Sequence, residues 1–357
     1  MTTHADIGLL RLAAQRLVGE REATPGDAVR RLLAVQAQDL PGALTSVALR
    51  TAARSRTEVD AALDSGEVVR SWPMRGTLHL LAADDLPWML DVLGSRTLAG
   101  VAKRWANLEL DEKQAERARE CVLAALRQRD RASRTELLEA IAAGGVATTG
   151  QRGYHLLWYL SQTGTLCLGP TDGDGDQLFV RLDEWIREPR RMEPDEAHAE
   201  LALRFFAGHG PATVQNLVRW SGSTAGKVRA GLAQVRDSLE AVSVDGTEYL
   251  MDPATPDRLA AARTEAGGVI LLPGFDEFVL GYGDRTAVLP AEFATRIVPG
   301  SNGMFRPTVV HRGQIVGTWR WTGRGAKRTV EAEPFTAFPK AVTTAVPKVA
   351  AQLPVTS

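Results

Sequence analysis

The sequence predicts an α+β chain whose helical stretches each close on a β-hairpin, and three observations carry that expectation. Apolar residues recur at helical spacing in three successive passes, each ending in strand, turn and strand. After Ala266 the character changes to short apolar runs broken by Gly and Pro, in "GGVILLPGFDEFVLGY", "TAVLP" and "TVVHRGQIVGTWRW", which reads as a β-rich C-terminal domain. With 357 residues, 44% hydrophobic and 24% charged, the chain has material for two or three domains with buried cores.

In the first pass Ile7 to Val18 is amphipathic, and Thr24-Pro25 opens a second helix carrying Val29, Leu32 and Leu33 at helical spacing. Helical candidates follow at Gly42 to Ala53 and Thr57 to Leu63, before "EVVRSWPMRGTLHLLA" supplies two strands around Pro73 to Gly76. In the second pass Glu112 to Gln128 is helical, Ser133-Arg134-Thr135-Glu136 is a capping box ahead of Leu137, Leu138 and Ile141, and Arg152 to Gln162 is a third helix. A hairpin reading follows for "TLCLGPTDGDGDQLFVRL". The third pass places helices at Pro194 to Ala207, Ala212 to Trp220 and Ala225 to Arg236, then "LEAVSVDGTEYLM" with Asp245-Gly246 as a type I′ turn signal. Three helices followed by strand, turn and strand is the order of a winged helix. Three tandem winged-helix modules are therefore expected at 1–105, 106–190 and 191–265, with the β-rich domain at 266–357. Within that domain Thr308 to Thr322 reads as a hairpin with Arg312-Gly313 at its tip.

Composition narrows the function classes. Only Cys121 and Cys167 occur, without CxxC spacing, which argues against a disulfide framework or a zinc cluster and for a reducing cytoplasm. The N-terminal helix carries Arg11 and Arg16 inside its apolar pattern, which suits neither a signal peptide nor a membrane span. "DGDGD" (Asp172, Asp174, Asp176) opens like a calcium loop with Asp183 at the twelfth position, yet Gln177 stands where the sharp turn needs Gly and strands flank it. "GSTAGKV" lacks the spacing and preceding strand of a phosphate loop and reads as a helix N-terminus. No metal or organic cofactor is expected. Net charge is −1, but from Phe293 to Val330 there are seven basic residues and no acid, so charge is distributed asymmetrically. That stretch is expected to meet phosphates, through Arg312 and Arg320 above all. Trp319 and Trp321, two apart on one strand face, fit sheet packing better than base stacking.

One short stretch, "LAVQAQDLP", holds Gln36 and Gln38. On a helix, residues two apart cannot serve one site; in an extended segment they share a face. Leu40-Pro41 disfavours helix at the preceding residue, so a helix that frays by Val35 lets both amides project toward one volume. The plainer alternative leaves Gln36 capping a helix C-terminus and Gln38 in solvent.

"VQAQDLPGA", "SWPMRGTLHLL", "GPATVQNLVRWSG" and "LLPGFDEFVLGYGDR" together resemble the winged-helix HTH_42 superfamily, which includes the AlkZ- and YcaQ-type DNA glycosylases that unhook interstrand crosslinks. The likeness runs from about Leu10 to Trp321. It implies a C-shaped, concave DNA-binding surface, and a catalytic Gln-x-Gln motif in the AlkZ-like branch, where YcaQ-like members carry Asp at the second position. Gln36 and Gln38 match the former.

The chemistry implied is hydrolysis of the N-glycosidic bond of a cationic N7-alkylpurine by a monofunctional, monomeric glycosylase acting on double-stranded DNA, crosslinks included. Such a base leaves as a neutral molecule, so the protein need only place a water at C1′ of a sugar acquiring oxocarbenium character, which two carboxamides can do. Arg70, Arg75, Arg312 and Arg320 are expected to line an open groove, with His79 beside Arg75 as a further DNA-binding candidate and Asp39 as an electrostatic accessory. The rival readings are a non-catalytic winged-helix DNA-binding regulator and a protein that sequesters a DNA-reactive toxin.

Overall fold

A computed structural model describes residues 3–172, 175–301, 303–323 and 328–355. Asp174, from the acidic run above, and Arg324 and Lys327, two of the seven basic residues between Phe293 and Val330, lie outside the described residues. Strands in chain order are β1 (Val35–Gln36), β2 (Val68–Met74), β3 (Thr77–Ala82), β4 (Arg131–Ala132), β5 (Leu166–Thr171), β6 (Gln177–Arg181), β7 (Glu240–Val244), β8 (Thr247–Met251), β9 (Val269–Leu272), β10 (Thr308–His311), β11 (Gln314–Thr322) and β12 (Thr329–Pro334). Helices alternate with them, so the chain mixes helix and sheet as predicted. No described helix is long and apolar enough to cross a membrane.

The chain divides into two compact units, one of residues 1–59, 198–220 and 224–357, the other of 60–197 and 221–223. In the first, β9 to β12 form an antiparallel sheet in the order β12-β11-β10-β9. Leu272, Val309, Val310 and Trp319 from that sheet, Leu10 and Leu12 from helix His4–Ala14, and Val342 and Val346 from helix Lys340–Ala350 share one core. Each such side chain contributes roughly 1.5–3 kcal/mol by leaving water. The hairpin β10–β11 turns at Arg312 and Gly313, both with positive φ (51° and 72°). A Cβ on Gly313 would sit 2.6 Å from the Gly8 carbonyl carbon, so this tip packs tightly on the first helix.

The second unit packs helices Glu112–Arg129, Arg134–Ala143 and Arg152–Gln162 around Val122, Leu126, Leu137, Ile141, Leu156 and Leu160. The Ser133 capping box forms as predicted. Its strands run in the order β3-β2-β5-β6-β4, the β2–β3 and β5–β6 hairpins meeting at Arg70 opposite Leu168.

Several local expectations are corrected. Pro41 does not stop a helix: it lies in the first turn of helix Leu40–Ala48, where a missing N–H has no cost, and that helix ends well before Ala53. "TAVLP" is not a strand. Ala287, Val288 and Leu289 are buried as a turn whose Val288 carbonyl accepts from Ile315 N–H at 2.8 Å. In "FDEFVLGY", Asp276 caps a single helical turn, Glu277–Leu280, through Phe278 N–H at 2.9 Å. The C-terminal region also ends in the helix Lys340–Ala350, because alternating short apolar runs mask a helical stripe of Val342, Val346 and Val349.

Candidate active site

The chain reaches Gln36 through a sharp reversal. Helix Pro25–Leu32 stops at Leu33, whose φ of 66° and ψ of −53°, with Ala34 N–H donating to the Leu32 carbonyl at 2.8 Å, make a γ-turn. This conformation is strained for a non-glycine residue, and Leu33 is fully buried, so the packing around it holds the strain. The turn delivers the chain into β1, and Gln38 follows in a bend just beyond it. There Gln36 Nε2 donates to Gln38 Oε1 at 2.9 Å. Gln36 is buried and Gln38 exposed, so the amide pair runs from the interior to solvent. Among the described residues this is the one hydrogen bond of the Gln38 side chain.

Behind Gln36 lies Glu277, from the stretch "LLPGFDEFVLGYGDR". Its fully buried carboxylate accepts from Gln36 N–H at 2.9 Å through Oε1, and from Trp220 Nε1 at 3.0 Å through Oε2. His209 Nε2 faces Oε2 at 3.4 Å, and its ring stacks on Phe205 at 4.6 Å. Burial pushes the Glu277 carboxyl upward, but the hydrogen bond and charge attraction of His209, with the hydrogen bonds from Gln36 and Trp220, outweigh it and hold the group below the usual carboxylate range.

The neighbouring acid anchors the same segment elsewhere. Asp276 takes both Arg50 Nη atoms, at 2.8 and 2.9 Å, and the Ser46 hydroxyl at 2.6 Å, all buried. Arg50 also donates to Gln15 Oε1 at 2.7 Å, and Gln15 Nε2 to the Tyr282 hydroxyl at 3.1 Å. Tyr282, pushed up to about 12 by burial, keeps its proton and donates it to the His209 carbonyl at 2.6 Å. A continuous polar seam thus supports helix Leu40–Ala48 on one side and Gln36 on the other. The available signal was two adjacent acids within an apolar run, since buried charges require partners.

Asp39 is exposed at the N-cap position of helix Leu40–Ala48, and its side chain makes no capping hydrogen bond. It folds toward Gly42, where an added Cβ would lie 2.6 Å from Asp39 Oδ2.

The predicted DNA-facing residues fall into both units. In the first, Arg312 is exposed at its hairpin tip, whereas exposed Arg320 pairs with Glu331, its partner across β11–β12, at 2.8 Å. Arg296 likewise pairs with Glu333 at 2.6 Å, so the acid-free run of sequence is answered by acids on the next strand. Trp319 is buried and donates Nε1 to the Leu272 carbonyl at 2.8 Å, a packing role as expected. In the second unit Arg70 donates to Gln177 Oε1 at 2.8 Å, and Arg75 is exposed at the β2–β3 tip with φ 55°. The expectation that His79 itself meets DNA is corrected: its ring is fully buried. Nδ1 lies 2.8 Å from the Thr77 carbonyl and Nε2 3.1 Å from Arg75 Nη2. A carbonyl only accepts and a guanidinium only donates, so His79 is the neutral Nδ1–H tautomer and supports Arg75. The "GSTAGKV" stretch forms the expected helix N-terminus, Thr224 capping Ala225–Val235. Asp172 and Asp176 bond one another's backbone in the β5–β6 turn.

Residues 29–354 match the family model described as DNA glycosylase AlkZ-like. A curated relative, the interstrand DNA cross-link repair glycosylase of Streptomyces sahachiroi, is 28% identical over 327 residues, 87% of this chain and 85% of the relative. The solved structure of Streptomyces sahachiroi DNA glycosylase AlkZ superposes with a TM-score of 0.81 at 27% identity, covering 99% of this chain and 96% of that one.

Proposed function

The chain belongs to the AlkZ-like DNA glycosylase family, and from that premise we propose that it hydrolyses the N-glycosidic bond of cationic N7-alkylpurines in double-stranded DNA, those within interstrand crosslinks included. The observation that carries this reading is the Gln36 Nε2 to Gln38 Oε1 hydrogen bond at the end of β1, where Gln38 reaches solvent. Each amide carbonyl has two lone pairs, so both can accept a hydrogen from one water and leave its oxygen lone pair aimed at C1′. Water then bonds to C1′ as the bond to N9 breaks. The electron pair passes to the purine and cancels its charge, and the water's second proton goes to solvent. A neutral amide is a feeble base, which confines the reaction to bases that already carry charge. Asp39 adds negative potential near the developing oxocarbenium ion.

The three helix-and-hairpin passes act in this reading as winged-helix modules, and the monomeric protein works in the cytoplasm without a cofactor. Arg312 and Arg75 contact phosphates, Arg75 being held by His79; Arg70 and Arg320 reach DNA by exchanging Gln177 and Glu331 for phosphate oxygens. Incubation with a duplex containing N7-methylguanine, or a nitrogen-mustard crosslink, is expected to release base and leave abasic sites. In Gln36→Ala/Gln38→Ala the rate should fall roughly 10²- to 10³-fold at matched folding. Equal rates in the two proteins would remove the assignment, and DNA binding without base release would favour the regulator reading.

A further inference from the structure

We propose that Glu277 is a positioning residue for this chemistry, fixing Gln36 through its backbone N–H and setting a negative charge behind the amide pair that favours a cationic sugar; the proposal rests on the glycosylase reading above. Three features of the site point to charge rather than shape. A glutamine would fill the same volume and could accept from Gln36 N–H, yet the fold keeps a fully buried carboxylate, the costlier choice. Its charge is not cancelled by a bonded guanidinium. Arg50 is taken up bidentately by Asp276, and Glu277 receives only N–H groups from Gln36, Trp220 and His209.

His209 sharpens the point. Its Nδ1 is buried without a hydrogen-bond partner among the described residues. With a hydrogen on Nε2 the ring makes the third N–H contact to the carboxylate. Both ends of the linkage are also rigid. The γ-turn at Leu33 fixes the approach to Gln36, and the Arg50 clamp on Asp276 fixes the residue before Glu277. Placement errors at a reacting centre are costly, so such over-determination fits a site that orients one water.

The test is Glu277→Gln, measured by single-turnover release of N7-methylguanine, by affinity for the same duplex, and by thermal melting. The rate is expected to fall on the order of 10- to 100-fold while affinity stays within about twofold of wild type. A rate within about twofold of wild type, or rate and affinity falling together with the melting temperature, overturns the proposal. Should Glu277→Gln fail to fold, Trp220→Phe decides, since it removes one of the two N–H groups at Oε2 and leaves the Gln36 bond. Its rate should drop severalfold at unchanged affinity, and a wild-type rate overturns the proposal. Wild-type protein that releases no base from the duplex overturns the glycosylase reading and this inference with it, whereas active wild type beside an equally active Glu277→Gln overturns the inference alone.

Discussion

Two arginine–carboxylate pairs in the same compact unit are built for opposite purposes. Arg50 and Asp276 are both 0% exposed and joined by two hydrogen bonds, whereas Arg320 and Glu331 are 74% and 55% exposed on the adjacent strands β11 and β12. The first pair cannot exchange its partner for water without breaking the core. The second can release its arginine at little cost, because solvent screens both states. In the proposed mechanism immobility belongs around Gln36, where one water is to be held, and exchangeable charge belongs where a phosphate is to displace a carboxylate.

The largest expected effect tests the buried pair. Arg50→Ala leaves Asp276 as an uncompensated buried charge and should cost about 3–5 kcal/mol, measured by urea unfolding. Arg320→Ala should cost ~0–1 kcal/mol in the same experiment, and equal losses would break the comparison. Next comes the amide pair. Because Gln36 and Gln38 are hydrogen-bonded to each other, a double-mutant cycle on the excision rate should show a coupling of roughly 0.5–3 kcal/mol, the double variant losing less than the sum of the singles; strict additivity would mean that they act on separate groups.

A third expectation concerns acid. The folded-state pKa of Glu277 is depressed, so its stabilisation is complete above the ordinary carboxylate range and is lost as pH falls through and below that range. Melting temperature against pH should therefore show a shallower acid limb for Glu277→Gln than for wild type, and superimposable limbs would contradict a depressed value. The smallest effect sharpens the exposed side. Arg312→Ala should reduce the slope of log affinity against log salt by about 1 without altering melting, and an unchanged slope would take the β10–β11 tip out of the DNA contact.

Much of the local structure was legible. The Thr24-Pro25 start, the Ser133 capping box, the helix Arg152–Gln162 and the Asp245-Gly246 and Arg312-Gly313 turns depend on near neighbours, and near neighbours are adjacent in sequence. The convergence of Gln36 and Gln38 was also predictable, because alternation along an extended chain is a local rule. Its cause was not. The helix stops at Leu33 through a strained turn that no residue type announces, while Pro41 begins the next helix.

Charge was the least legible property. The acid-free run from Phe293 to Val330 is basic in sequence, but β-pairing sets Arg320 opposite Glu331, and Arg296 reaches Glu333. His79, a DNA-binding candidate by its place beside Arg75, is buried as a neutral support for that arginine.

The amino-acid order by itself determined which segments curl, which extend, where hairpins turn, and that two amides could face one way, since these follow from steric preferences over a few residues. Only the folded chain decided that Glu277, 241 positions from Gln36, would stand behind it, and that Asp276 one residue earlier would be locked to Arg50. Burial strengthens such contacts by excluding water, and exclusion of water depends on segments that meet only once the core has formed.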